Sequence, residues 1–282
     1  MGEIIIEFSE PPIQRLMQHV FDNYSEFDEF CEFTEDLEPA PVDVEGCVEC
    51  HHQSYFDEGN PIYECDNFKR VYLVRYLARQ FEQSDFVIKE HVLHHIEGKA
   101  DLSAVSLGGG PAPEALALMN GLSSYEGDHN LFFDNIDCEA SWEDIYHDLA
   151  HRFVKRVKNI KLKTGFNSSD VTSYVSDKQY DIVFISWLLS EMDEQDSSNV
   201  LDAARNLAAP LGHILVIDRD ESSLVSRISA LIGTAQGLAL VEHQSKYIHS
   251  IVDFPPDIKA TFSPDMGCDC AYWVLQIPPN DF

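Results

Sequence analysis

Three consecutive glycines at the end of a buried-strand pattern constrain this chain more than any other feature. In SAVSLGGGPAPEALAL (103–118) an uninterrupted apolar run meets Gly108, Gly109 and Gly110, and a helical pattern opens at Pro113. Glycine lets the backbone turn sharply and come close to a ligand. The first turn of the following helix offers N–H groups without intrahelical partners, and proline suits that position because its own N–H is not needed there. Such a turn belongs at the carboxyl end of a parallel strand, where open α/β sheets bind ligands. The chain beyond it agrees. NLFF (130–133), YDIVFIS (180–186) and GHILVID (212–218) are short apolar runs without polar alternation, as expected of parallel strands covered on both faces. Helical stretches at about 113–122, 142–157, 196–208 and 222–236 alternate with them. Repeated βα units predict an α/β fold with a mostly parallel sheet. AYWVLQI (271–277) reads as a final antiparallel strand added at the sheet's end.

The expected division is an acidic N-terminal helical extension over 1–99 and the α/β domain over 100–282. Residues 1–45 carry 13 acids and one base, Arg15. Within them Ile13, Leu16, Met17, Val20 and Phe21 fall at helical spacing, so an acidic amphipathic helix is expected, packed on the main domain, covering the cofactor site as a lid, or docking a protein partner. A second helix is expected over about 67–82, capped by Asp66 or Asn67. The formal charge of the 282-residue chain is −30. That charge repels phosphate backbones and disfavours nucleic-acid substrates. One feature opposes it, because six of the 19 basic residues fall in 152–163, RFVKRVKNIKLK, and an RNA contact there stays open. The apolar runs are too short for a membrane span, and the acidic N-terminus is unlike a secretory signal, so a cytoplasmic protein is expected.

Three positions pair with the glycine turn. Asp134 and Asp137 follow the NLFF run, where an acid can accept both hydroxyls of a ribose. Asp137 is preferred, on the expectation that a stretch of coil carries it beyond the sheet edge. Asp170, before YDIVFIS, can accept the exocyclic amine of an adenine. The order strand, glycine turn, helix, strand, acid, helix, acid, strand reads as a site for an adenosine-containing cofactor. A nicotinamide dinucleotide is disfavoured, because Pro113 occupies the third glycine slot of that fingerprint.

In these motifs the chain resembles the class I, Rossmann-like S-adenosylmethionine-dependent methyltransferases, over roughly residues 100–277. SLGGGPAPE resembles their first motif, in which Gly108, Gly109, Gly110 and Pro111 would hold the amino-acid part of the cofactor. Asp137 resembles the ribose acid, and Ser169–Asp170–Val171 the adenine-edge motif. YDIVFISWLLSEM, beginning its turn at Ser186, resembles the strand where substrate and methyl group meet. The chain departs from the family at Ser106, which stands where an acid usually precedes the turn. It departs again at Ala112, which stands where the turn usually ends in glycine and fits there if its φ is negative. The resemblance implies a Rossmann-like sheet, S-adenosylmethionine as cofactor, and methyl transfer to an acceptor that the motifs do not identify. A small molecule or protein is favoured over RNA. Glu191 is the first candidate for a base and His213 the second, with Trp187 as a pocket wall. The competing reading is a non-catalytic cofactor-binding or protein-interaction module on the same fold.

Cys47, Cys50, His51, His52 and Cys65 lie within 19 residues. The C-x-x-C spacing permits a tetrahedral zinc held by Cys47, Cys50, His52 and Cys65. Seven cysteines without a secretory signal otherwise read as reduced thiols.

Overall fold

The computed structural model describes residues 10–25, 30–31, 40–41, 44–53 and 63–279. Among them, helix α1 (Pro12–Tyr24) opens the chain and buries Ile13, Leu16, Met17, Val20 and Phe21, the apolar stripe of its sequence. A two-residue ribbon, β1 (Phe30–Cys31) with β2 (Ala40–Pro41), leads to α2 (Val44–His52). The rest of the acidic N-terminal stretch lies outside the described residues.

Helix α3 (Asp66–His91) is longer than the apolar spacing predicts, and α4 (Leu93–Ile96) follows it. Its capping position is Cys65, which makes no side-chain capping bond. Asp66, expected as the cap, instead pairs with buried Lys69 one turn on, at 2.8 Å. Polar residues such as Lys69, Arg79, Gln80 and Gln83 are buried along α3, and this obscured its length in the sequence. Lys69 donates to Ser141 and Arg79 to Asp265, both outside the helix, and Gln80 donates to Tyr72 within it.

The sheet is built from β3 (Asp101–Leu107), β4 (His129–Asp137), β5 (Ile160–Ser168), β6 (Tyr180–Ser186), β7 (Ala208–Arg219), β8 (Ala239–His249) and β9 (Gly267–Gln276). Among the described residues these seven strands run in the order β5-β4-β3-β6-β7-β9-β8. The first five pair in parallel. Strand β9 is antiparallel to both β7 and β8, so it lies inside the sheet rather than at its end. Its burial agrees: Cys270, Ala271, Tyr272, Trp273, Val274 and Leu275 are all inaccessible. The edge is β8, most of whose residues are exposed.

Helices α5 (Pro113–Leu122), α6 (Trp142–Val154), α7 (Glu194–Leu207) and α8 (Ser222–Thr234) connect the strands, and α9 (Pro256–Phe262) precedes β9. Two apolar clusters cover the sheet's two faces. One joins α1, α3, α5 and α6 to Ala104, Phe133, Phe184 and Leu215. The other joins α7 and α8 to Val105, Val183, Val216 and Trp273. Alternate residues of each strand thus enter opposite clusters, which explains the unbroken apolar runs. No helix among the described residues is long and apolar enough to cross a membrane.

Candidate cofactor site

The glycine turn lies at the carboxyl end of β3, between β4 and β6. Gly108 N–H donates to the Ile136 carbonyl at 2.7 Å, and Asn135 Nδ2 donates to the Gly110 carbonyl at 2.8 Å. Strand β4 therefore clamps the turn at both ends. Gly108 and Gly110 have φ of +64° and +52°, a region that glycine enters without a Cβ clash. Gly109 has no positive φ but no room either, since a Cβ there would meet Asn135 Oδ1 and Ser106 Oγ below 3 Å. Ala112 closes the turn at φ +52°, ψ +60°. The negative φ expected for alanine is not adopted. This left-handed conformation costs an alanine roughly 1–2 kcal/mol, and the Ala112 N–H bond to the Gly109 carbonyl at 2.7 Å helps to hold it.

Around the turn is a cleft of about 760 Å³, its open mouth included. Gly108, Gly109, Gly110, Pro111, Asp137, Asp170, Ser186, Trp187 and Glu191 all line it. Residues far apart in sequence thus face one space. Tyr63, Tyr72, Gln80, Glu114 and Trp142 line it as well, and sequence reasoning singled out none of these. Tyr63, Tyr72 and Trp142 pack edge to face or tilted, with ring centres 5.7–6.0 Å apart. The Tyr72 hydroxyl accepts from Gln80 Nε2 at 2.8 Å.

Asp137 is the last residue of β4 and not, as expected, a residue of the following coil. Side chains of successive strand residues alternate in direction, so the odd step of three from Asp134 to Asp137 puts the two acids in different surroundings. Asp137 Oδ2 accepts from Gly110 N–H at 2.8 Å and Oδ1 from Glu139 N–H at 2.9 Å. Burial raises its proton affinity, and those two N–H groups oppose the rise. A carboxylate has about four acceptor sites, so two bonds leave capacity for a pair of hydroxyls. Asp134 accepts instead from Tyr180 Oη at 2.5 Å and Lys178 Nζ at 2.9 Å. It lines a separate depression shared with Lys163, Tyr174 and Lys178. Asp170 is exposed at the cleft's rim, and its Oδ1 accepts from Thr172 N–H and Oγ1, each at 2.8 Å.

After β6 the chain enters the cleft through Trp187, a buried aromatic at φ +60°. Its N–H donates to the Ile217 carbonyl at 2.7 Å. The cation set over its ring is Arg79 of α3, 4.2 Å from the centroid. A 3-10 turn, Leu189–Glu191, follows. Buried Asp218 accepts from Ser190 N–H at 3.0 Å, and Arg227 donates to the Leu189 and Met192 carbonyls. This turn presents Glu191, an exposed side chain, at the cleft. His213 lies at the opposite end of the sheet, paired in register with Ile182 and Gln276 and stacked 4.8 Å from His95. It has no access to the cleft and is not a base for it.

The zinc set does not assemble. Among the described residues no group of three or more His, Cys, Asp or Glu can hold a metal ion. Cys47, Cys50 and His52 sit on α2 at steps of three and two residues, with Cys47 buried and His52 exposed, while Cys65 immediately precedes α3. One helix cannot turn all three toward one point. The neighbouring His51 is buried, its ring stacked 4.4 Å from Phe68, and burial lowers its pKa to about 3.

Comparison with known proteins gave no matching family model and no matching curated protein. Solved structures do match. A protein of Listeria monocytogenes assigned as a class I S-adenosylmethionine-dependent methyltransferase is similar over 95% of this chain and 90% of its own, at 10% identity and a TM-score of 0.56. The magnesium protoporphyrin IX methyltransferase of Synechocystis PCC 6803, with bound SAH, matches at 11% identity over 83% of this chain and 99% of its own, with a TM-score of 0.48. The N-methyltransferase NodS of Bradyrhizobium japonicum WM9, in complex with S-adenosyl-L-homocysteine, matches at 11% identity over 84% and 100%, with a TM-score of 0.41. The fold of this chain is the Rossmann-like fold of class I S-adenosylmethionine-dependent methyltransferases.

Proposed function

We propose that the protein is an S-adenosylmethionine-dependent methyltransferase acting on a small molecule or a protein side chain. The observation that carries this reading is the cleft itself. A tight glycine turn, a strand-end carboxylate and a rim carboxylate face one cleft at the carboxyl ends of the parallel strands. The cradle fits an adenosine-bearing ligand, because Gly108, Gly109 and Gly110 line the cleft with backbone alone, beside the Asp137 carboxylate. S-adenosylmethionine, when bound, supplies a methyl group already activated on a sulfonium. The chain's part is to bind and orient. Asp137 would take the ribose hydroxyls, Asp170 the adenine amine, and Val171 the apolar face of the base. Trp187, Leu188 and Met192 exclude water from the reacting end. Alignment of acceptor, methyl carbon and sulfur supplies much of the acceleration. Where the acceptor must lose a proton, Glu191 is placed to take it. The basic segment 152–163 contributes no residue to the cleft, which leaves RNA the least favoured acceptor.

Calorimetric titration of the protein with S-adenosylmethionine and, separately, NADH tests the reading. Micromolar binding of the first alone is expected. Asp137→Ala should weaken it about ten- to a hundredfold, the worth of bonds to a charged group at roughly 1.5–3 kcal/mol. A cooperatively melting protein that binds neither ligand would overturn the proposal and favour a protein-interaction module.

A further inference from the structure

Glu114 differs from the other acids of the cleft. It is the second residue of α5, it is 1% exposed, and it lines the cleft. Its Oε2 has neither solvent nor a hydrogen-bond partner. Two hydroxyls face the same carboxyl, Ser106 from β3 and Ser186 from β6, near enough to favour its ionised form. No bond of good geometry joins them to it, and both Oγ atoms are likewise buried without partners. Asn135 Oδ1, pressed beneath Gly109 beside Ser106, is a fourth such oxygen. Buried polar groups are rarely left unpaired, and this oxygen-rich cluster lies directly under the glycine turn. A ligand group rich in N–H donors and positively charged would satisfy it.

The place is also the one where the chain departs from the methyltransferase pattern, with Ser106 in the position of an acid. We propose that Glu114 supplies from the helix the carboxylate that β3 lacks, and binds the α-ammonium group at the amino-acid end of the cofactor. This rests on the reading of the cleft as an S-adenosylmethionine site. Burial pushes the Glu114 carboxyl up to about 7 in the ligand-free protein. The other titratable groups lining the cleft are Tyr63 and Tyr72 on the α3 side, Asp137 on β4, Cys138 after it, Asp170, and Glu191 after β6. Among the described residues no Lys, Arg or His lines it, so a cationic ligand would draw Glu114 toward its charged form and release a proton.

Three ligands separate the possibilities in the full chain and in Glu114→Gln. S-adenosylmethionine carries both ammonium and sulfonium, S-adenosylhomocysteine the ammonium alone, and 5′-methylthioadenosine neither. The variant should lose ten- to a hundredfold in affinity for the first two and stay within about twofold for the third. Equal weakening for all three, or none, would overturn the proposal. Weakening for S-adenosylmethionine alone would also overturn it, by making the sulfonium the partner. Failure of the unsubstituted protein to bind any of the three would instead sink the cofactor reading and this inference with it. Should the variant misfold, proton release by the unsubstituted protein decides. Binding of S-adenosylhomocysteine between pH 6 and 7, measured in two buffers of different ionisation enthalpy, should release a fraction of a proton; no release across that range would overturn the proposal.

Discussion

The acids of this chain divide by what surrounds each carboxyl. Glu114 is raised to about 7 by burial, against an ordinary value of 4.5. Between those values the folded state holds the proton more tightly than the unfolded state, so stability falls as pH rises through the window. The full effect is on the order of 3 kcal/mol. Glu114→Gln should therefore stabilise the ligand-free protein at pH 8 by about 2–3 kcal/mol and add little at pH 4.5, as urea denaturation at the two values would reveal. A residue that gains stability and loses affinity on the same change is one kept for binding. Asp134 should behave oppositely. It holds the buried Tyr180 hydroxyl, so Asp134→Ala leaves that group unsatisfied, at roughly 1–3 kcal/mol. Its titration with S-adenosylmethionine should match that of the unsubstituted protein, since Asp134 does not line the cleft.

Helices α2 and α3 show how an element acquires a role that its own sequence does not announce. The 26-residue α3 carries Tyr72 and Gln80 into the cleft, sets Arg79 over Trp187, and supplies Phe68 for the His51 ring of α2 to stack on. His51 is held to a pKa of about 3, first by burial and then by Arg75. Below the ordinary value of 6.5 the unfolded chain takes up a proton that the folded protein resists, so this group removes stability as pH falls from 6.5 toward 3. His51→Phe keeps a ring on Phe68 and removes that liability. It should gain about 2 kcal/mol over the unsubstituted protein at pH 5 and much less at pH 8, where the histidine is neutral in both states.

At the scale of the whole molecule the charge of −30 is the dominant fact. Like charges repel in the compact state more than in the expanded one, and salt screens them within about 10 Å at 0.1 M. The melting temperature should therefore rise by several degrees between about 0.02 and 0.5 M sodium chloride, read by calorimetry. A melting temperature that does not change would mean that local ion pairs such as Lys99–Asp181 and Lys178–Asp134 already offset the repulsion. The same charge makes the cleft notable, because its ionisable lining is acidic and so suits a cationic ligand.

What the sequence by itself determined was whatever depends on near neighbours. The glycine turn and Pro113 mark a strand-to-helix corner wherever they stand, and the stripe Ile13, Leu16, Met17, Val20, Phe21 belongs to one helix face in any packing. The apolar runs of β3, β6 and β7 could be read because both their faces are covered. Strands β5 and β8 were not legible, because edge strands bury little and their patterns stay polar. The place of β9 was not legible either, because strand order is set by contacts between residues far apart in the chain. Only the tertiary structure decided that Asp137 rather than Asp134 faces the cleft, that the cysteines of α2 do not gather round a metal, and that Glu114 lies buried beneath the turn. Each of those outcomes turns on which side chains from other elements fill the surrounding space, and a periodicity of two or 3.6 residues carries no record of them.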